Sequence, residues 1–430
     1  MNPLLRLPYA FAAQAARLGA SLVPEAAHGK TWQSLRARRG IRERYAAWGR
    51  AHRDPARPLL WVHAPSVGEG LQARAVLPLV RALHPQLQIA YTFFSPSAEA
   101  FATSIGADFT DYLPFDSAGD ADAALDALRP TALVFSKLDV WPTLVARAAA
   151  RGTKIGMISA TLADGSGRVS PWAKALLGDA YGALAAVGAI DAEDAARLIA
   201  LGVQARAVEV TGDTRYDQVW QRALTVDRMG PLLATLASSR PTLVAGSTWP
   251  ADEAVLLDAW AVVRKKLPGA RLIIAPHEPT PMHLRPVQQW ATDIRAPLAR
   301  LGDVAQRTAD VVLVDRTGVL GELYALADVA YVGGGFHAAG LHSVLEPAAF
   351  GAPVLFGPRH TQSRDAALLI AARGGGACTD AAALGAALLS LLTDKAERVA
   401  AGERARAMVE RGVGAAERSA ALVSRLLATS

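Results

Sequence analysis

A single cysteine, Cys378, occurs in 430 residues. That excludes a disulfide framework and any cysteine-based zinc site. No uninterrupted apolar run approaches the ~20 residues that cross a bilayer, and the N-terminus has no convincing signal-peptide cleavage pattern. There is no Walker loop and no DxD-like pair at a strand end to hold Mg²⁺. The GxGxxG dinucleotide pattern is also missing, which disfavours redox chemistry. His277, His342 and His360 follow no zinc-ligand spacing, so neither a metal nor a cofactor is expected. No short-period repeat is present.

What is there is globular: 51% of residues are apolar and 20% charged. The length suits two domains, each with its own core. A net charge of +6 permits an anionic partner such as nucleotide or phospholipid. Without interleaved aromatics or a known module, it does not point to nucleic acid.

The basic residues are uneven, with Arg36, Arg38, Arg39, Arg42, Arg44 and Arg50 crowding one stretch. They form either a solvated helix face or a contact with anionic headgroups. Before them, Leu4, Leu5, Leu7, Tyr9, Phe11 and Leu18 make an apolar segment broken by Arg6, Gln14 and Arg17. Its pattern suits an amphipathic helix lying at a membrane interface. A helix packed on its own domain is the alternative.

From residue 59 short apolar strands alternate with Ala/Leu-rich helices. Leu59–His63, Leu87–Phe93, Ala132–Phe135, Lys154–Ile158, Ala185–Ile190 and Val208–Thr211 read as strands. A second series follows at Thr242–Ala245, Arg271–Ala275, Val311–Leu313, Val329–Val332 and Pro353–Phe356. This alternation predicts an α/β protein with two doubly wound, Rossmann-like parallel sheets. Ligands in such sheets bind at the carboxyl ends of strands, so two of them facing one another would put the site in an interdomain cleft. The expected organisation is a membrane-associating segment over 1–50, a first domain over 51–220, a linker over 221–240 and a second domain over 241–394. A long helix within 395–430 would then pack back towards the first domain.

Three segments carry the chemistry. In Trp61-Val-His-Ala-Pro-Ser-Val-Gly-Glu-Gly70 a strand runs through a turn into a helix that opens at Gly68-Glu69. A carboxylate in a first helical turn is stabilised as the anion, which suits a general base. On pattern alone, a plain N-terminal glutamate fits as well. Val244-Ala-Gly-Ser-Thr248 ends a strand before a helix, and its N–H groups and hydroxyls suit a phosphate. Tyr331-Val-Gly-Gly-Gly-Phe336 leads to Gly340-Leu-His-Ser-Val-Leu-Glu-Pro347, where Ser343 can cap a helix carrying Glu346. The glycines allow a ligand close to the backbone, and Glu346 can accept hydrogen bonds from ribose hydroxyls. His277, His342 and His360, all near strand ends, could hydrogen-bond a base or phosphate.

Taken together and in order, these segments resemble the Kdo (3-deoxy-D-manno-oct-2-ulosonic acid) transferases of lipopolysaccharide synthesis. Further marks are Tyr112-Leu-Pro-Phe-Asp116, Trp141-Pro142, Ser159-Ala-Thr-Leu162, Thr211-Gly-Asp-Thr-Arg-Tyr-Asp217 and Phe356-Gly-Pro358. The similarity covers roughly residues 30–425. It implies a GT-B glycosyltransferase, independent of metal, that transfers Kdo with inversion from CMP-Kdo to a lipid A precursor. The place implied is the cytoplasmic face of the inner membrane, at an anionic surface, held peripherally or by the N-terminus. It implies Glu69 as the catalytic base, with Ser66, Gly68, Lys137 and Asp139 towards the acceptor. Towards the donor it implies Gly246, Ser247, Thr248, His277, Glu278, Gly334, Gly335, Phe336, His342, Ser343, Leu345 and Glu346.

Two departures bear on the acceptor. The family's Glu-Thr-Glu-Leu-Trp-Pro reads Lys137-Leu-Asp-Val-Trp-Pro142 here, which exchanges one carboxylate for Lys137 and shortens the other to Asp139. They suggest a different acceptor or linkage, unless Lys137 is only a surface replacement. The competing readings are a GT-B transferase with another nucleotide sugar, an epimerase of the UDP-GlcNAc 2-epimerase kind, and a non-catalytic relative.

Overall fold

The computed structural model describes residues 3–163 and 165–428. The outermost two residues of each expected terminal segment lie outside them. The chain divides into two units: residues up to Gln218 together with those from Gly414 on, and Val219–Val413 between.

The first unit opens with helices α1 (Pro3–Leu22), α2 (Lys30–Ala37) and α3 (Ile41–His52), and α4 (Val67–Leu83) follows its first strand. Its strands are β1 (Leu59–His63), β2 (Gln88–Phe93), β3 (Phe109–Tyr112), β4 (Ala132–Ser136), β5 (Lys154–Ala160), β6 (Ala186–Ala189) and β7 (Val208–Val210). They form one parallel sheet in the order β3-β2-β1-β4-β5-β6-β7. Strands β1, β2 and β4 are buried at every position, as expected when helices cover both faces. Strand order reverses between β1 and β4, the place where doubly wound sheets bind ligands.

The second unit repeats the plan with β8 (Thr242–Thr248), β9 (Arg271–Pro276), β10 (Leu298–Arg300), β11 (Val311–Leu313), β12 (Val329–Val332), β13 (Val354–Phe356) and β14 (Gly375–Ala377). Its order is β10-β11-β9-β8-β12-β13-β14, again parallel, and it reverses between β8 and β12. Trp260, Tyr331 and Phe356 are fully buried in this unit, as are Trp61 and Phe135 in the first.

Three expectations about organisation differ from the structure. Residues 221–240 are no free linker: they belong to the second unit and include a short helix, Pro231–Ala234. Instead of one long C-terminal helix there are two, Lys395–Glu410 in the second unit and Ala415–Leu427 in the first. The break falls at Gly414, whose φ of 93° is left-handed. Asp217 starts the new helix there, its carboxylate accepting from Gly414 N at 2.7 Å and Ala416 N at 3.0 Å. Third, most of the arginine stretch is engaged within its own unit. Arg38 is buried, Arg44 holds Asp111 with two bonds, Arg42 pairs with Asp120, and Arg36 donates to three backbone carbonyls.

The first helix packs on its own unit and keeps an apolar face exposed. Tyr9 Oη donates to Asp116 at 2.7 Å and Arg17 lies 3.2 Å from Asp120, so α1 is tied to its unit. Leu4, Leu7, Phe11, Leu18 and Leu22 nevertheless remain 57–84% exposed, at spacings that share one helical face. No helix among the described residues is long and apolar enough to cross a membrane.

Candidate active site

In the first unit β1 ends at His63, and the turn through Ser66 starts α4, which puts Glu69 in its first turn beside the sheet's reversal point. The Ser66 hydroxyl donates to the Glu69 carboxylate. From β4, across the reversal, Ser136 Oγ donates to the Glu69 carbonyl at 2.9 Å, and Lys137 Nζ lies 3.4 Å from Oε1. Burial pushes the carboxyl's pKa up, but the Ser66 hydroxyl and the Lys137 ammonium outweigh it and hold it below the usual carboxylate range. Glu69 is therefore an anion at neutral pH, half-buried, with one neighbouring cation. The helix N-terminus is not its only support.

Lys137 has a φ of 79°, a left-handed value rare for a residue with a side chain. Ser159 at the end of β5 (φ 50°) and Ser247 near the end of β8 (φ 54°) share that conformation. Such strain gathers at functional sites, and all three lie at carboxyl ends of central strands. Gly68 is exposed on α4 beside this group. Asp139 turns to Arg168, with which it pairs. Within this unit the structure thus brings Ser66, Glu69 and Lys137 together and engages Asp139 elsewhere.

This arrangement carries a pH prediction. A base works only when ionised, so turnover falls as pH drops through the Glu69 pKa. Lys137→Met removes one of the groups that depress it, and the acid limb of the kcat profile should move to higher pH. An unmoved limb in a folded variant would mean that Lys137 does not tune Glu69.

In the second unit the matching reversal lies between β8 and β12. Gly246, Ser247 and Thr248 end β8, while Gly333–Phe336 leave β12. Here Asp252, fully buried in the first turn of the helix Pro250–Lys266, accepts from Gly334 N at 2.7 Å and Phe336 N at 3.0 Å. It also accepts from Trp249 N at 3.0 Å and Tyr331 Oη at 3.3 Å. The glycines serve close chain packing: a Cβ on Gly246 would strike the Tyr324 hydroxyl, on Gly333 the Ser247 carbonyl, and on Gly335 the backbone of Gly357. Gly334, at φ 93°, is the one that needs glycine for conformation.

Thr248 Oγ1 donates to the buried Glu253 at 2.8 Å. Burial drives that carboxyl up to about 7 despite the Thr248 bond. Beyond Thr248, Trp249 stacks on His337 (centroids 4.3 Å apart) and packs at 4.6 Å from His277. His277 stacks on His342 at 4.5 Å, and Trp249 Nε1 donates to His342 Nε2 at 3.1 Å. Burial, then the neighbouring His277, keeps the His342 pKa below its ordinary value. Exposed His277 and Glu278 lie at the edge of this stack.

The helix carrying Glu346 begins at Leu345, and Val344 occupies its N-cap position rather than Ser343. Ser343 Oγ accepts from Leu345 N at 3.4 Å. Glu346 itself lies 2.7 Å from Arg222 Nη1; burial raises its pKa, and the guanidinium opposes that. His360 packs edge-on against Phe356 at 5.4 Å. Among the described residues no group of His, Cys, Asp and Glu is arranged to hold a metal ion.

Sequence reasoning missed Trp249, Asp252, Glu253, His337 and Arg222. Pro-Ala-Asp-Glu after a strand is a helix-start signature, so Asp252 and Glu253 had a local signal. Nothing local marked the other three.

Comparison with known proteins decides what this pair of sites belongs to. The family described as 3-Deoxy-D-manno-octulosonic-acid transferase (kdotransferase) matches residues 38–218. A relative from Bordetella pertussis, a 3-deoxy-D-manno-octulosonic acid transferase, is 32% identical over 90% of this chain and 94% of its own. The chain belongs to the Kdo transferase family. The Haemophilus influenzae Kdo transferase is 27% identical over 76% of this chain and 77% of its own. As a Kdo transferase the chain is a glycosyltransferase, and solved structures agree on its fold. A UDP-GlcNAc 2-epimerase from Neisseria meningitidis superposes with a TM-score of 0.60 at 16% identity, covering 86% of this chain and 99% of that one. A glycosyltransferase from Rickettsia africae gives 0.58 at 10% identity over 87% and 100%. These two likenesses show the GT-B type of α/β fold and nothing about substrate.

Proposed function

We propose that this Kdo transferase uses CMP-Kdo as donor and a lipid A precursor as acceptor, with Glu69 as the base. The observation that carries the reading is Glu69 itself: anionic, in a first helical turn, beside the sheet's reversal point, and within the stretch that matches the family. As the acceptor hydroxyl attacks the anomeric carbon, its oxygen becomes acidic and Glu69 takes the proton. The anomeric C–O bond to CMP breaks on the opposite face, so configuration inverts. No metal is needed to neutralise CMP if side chains do so.

The donor belongs to the second unit. Glu346, held by Arg222, accepts from the ribose hydroxyls, while Ser247 and the histidine cluster of His277 and His342 face the phosphate or the sugar carboxylate. Leu345, Gly334, Gly335 and Phe336 shape the floor. The exposed apolar face of α1 supports a peripheral position at the cytoplasmic face of the inner membrane. Lys137 beside Glu69 favours an acceptor that brings its own negative charge near the attacking hydroxyl.

Purified protein incubated with CMP-Kdo and a lipid A precursor should give a product heavier by one or more Kdo residues in mass spectrometry. Release of CMP without a heavier lipid would refute the acceptor; transfer from another nucleotide sugar but not from CMP-Kdo would refute the donor.

A further inference from the structure

In the first unit a cavity of about 390 Å³ lies beneath α1 and α2, beside the segments that follow β2, β3 and β4. Those segments flank the β1 turn that carries Glu69. The α1 wall is made of Tyr9 and of Ala12, Ala13 and Ala16, whose small side chains leave the space open. Such a volume falls in the range of ligand pockets.

Two donors at this cavity lack partners. Arg38 is 4% exposed; its Nε donates to the Leu113 carbonyl at 2.7 Å and its Nη1 to the Ser34 carbonyl at 2.8 Å. Its Nη2 is buried with no hydrogen-bond partner, and the same holds for Trp141 Nε1. Both groups pack on one ring: Arg38 sits 4.4 Å from the Phe94 centroid, and Phe94 stacks on Trp141 at 5.6 Å. Burial draws the Arg38 pKa down to about 10, which leaves the guanidinium charged at neutral pH. A buried cation and a buried indole N–H, both short of an acceptor, cost stability unless a ligand oxygen meets them. Exposed Lys30, also in the wall, adds positive charge, while the buried Asp116 carboxylate there is taken up by Tyr9 Oη, Thr143 N and Leu144 N. Apolar walls with unmatched donors describe a site for a hydrocarbon chain that ends in an anionic or ester oxygen.

We propose that this cavity takes one acyl chain of an anionic lipid, with a lipid oxygen on Arg38 Nη2 and Trp141 Nε1. That the lipid is the acceptor rests on the proposed function, whereas binding of the chain does not. In that combination the cavity selects an acylated acceptor and orients its sugar relative to Glu69.

The test needs no sugar donor, so it stands or falls apart from the transfer reaction. Calorimetry of the full chain with n-alkyl phosphates from octyl to tetradecyl, each below its micelle concentration, should show affinity rising about fourfold per methylene until the cavity is full. Ala13→Phe, which fills the space from a surface helix, should flatten that dependence. Arg38→Lys should weaken every chain length by about tenfold and keep the slope. Should Arg38→Lys fail to fold, alkyl trimethylammonium salts give the same information, and they should bind far more weakly than the phosphates. Chain-length-independent affinity in the native protein would overturn the proposal. So would an unchanged slope in Ala13→Phe, which would put the chain on the outer face of α1, or equal binding of the cationic series.

Discussion

Replacing Glu69 by Gln should lower kcat about 10²–10⁴-fold, the usual contribution of a positioned base, while donor affinity and melting temperature barely change. The acceptor hydroxyl is a weak nucleophile until its proton leaves, and glutamine keeps the shape of the side chain without the ability to take that proton. Little stability is at stake. The ion pair lost, with Lys137, has a partner 45% exposed, and pairs of that kind contribute roughly 0–1 kcal/mol. The Ser136 bond to the Glu69 carbonyl involves backbone and survives the change. Because the native carboxylate has a depressed pKa, it is a modest base in the resting state. It acts late, when bond formation has made the attacking oxygen acidic. A stopped assay of CMP release, with and without acceptor, separates this from donor hydrolysis. Near-native turnover together with a melting point lowered by several degrees would make Glu69 a structural residue of the α4 start and remove the base from the mechanism.

The parts of this molecule that were legible in the sequence share one physical property. β1, β11 and β12 run through the middle of parallel sheets, where both faces are covered. Their residues are buried at every position and apolar except for His63 at the end of β1, so Leu59–His63, Val311–Leu313 and Val329–Val332 are delimited to the residue. Edge strands lack that constraint. β10 is Leu298-Ala-Arg300 and β14 is Gly375-Gly-Ala377, each partly exposed, and neither offers a run of apolar residues to read. β3 alternates buried and half-buried positions around Thr110 and Asp111 and was visible only through the family motif beginning at Tyr112.

The site divides along a similar line. Glu69 could be found because its environment is local: its own turn, its own helix start, Ser66 three positions before it. The partner that tunes it, Lys137, was noted as a departure from the family motif, but its approach to Glu69 depends on β4 lying beside β1. In the second unit part of the expected donor set is already engaged within the chain. Glycine-rich and hydroxyl-rich strand ends were read as open to a ligand, whereas Thr248 is engaged by Glu253 and two N–H groups of the glycine turn by Asp252. A sequence displays donors without showing which of them are already taken. Asp252 meets Gly334 from 82 positions upstream, and only the β8–β12 pairing makes that contact possible.

That contact underlies the largest expected loss of stability. Asp252→Ala should destabilise the second unit by roughly 3–5 kcal/mol, because it orphans the buried Gly334 N and Tyr331 hydroxyl and the part-buried Phe336 N and Trp249 N, and an unmet buried donor costs ~1–3 kcal/mol. Asp252→Asn tests the same point more sharply. Both carboxylate oxygens accept in the native structure, whereas the amide offers one accepting oxygen and turns an NH₂ towards donors that cannot receive it. The asparagine variant should therefore lose most of what the alanine variant loses, although its volume is unchanged. The consequence for the ligand follows from the turn's position at the sheet's reversal point. With Asp252 gone, Gly333–Phe336 has no fixed conformation, so CMP affinity measured by calorimetry at a temperature where the variant is still folded should fall as well. Denaturant unfolding followed by circular dichroism, with no ligand present, reads the stability term alone. If Asp252→Asn unfolds at the native denaturant concentration, the carboxylate does not organise the turn, and the glycines hold their shape by packing alone.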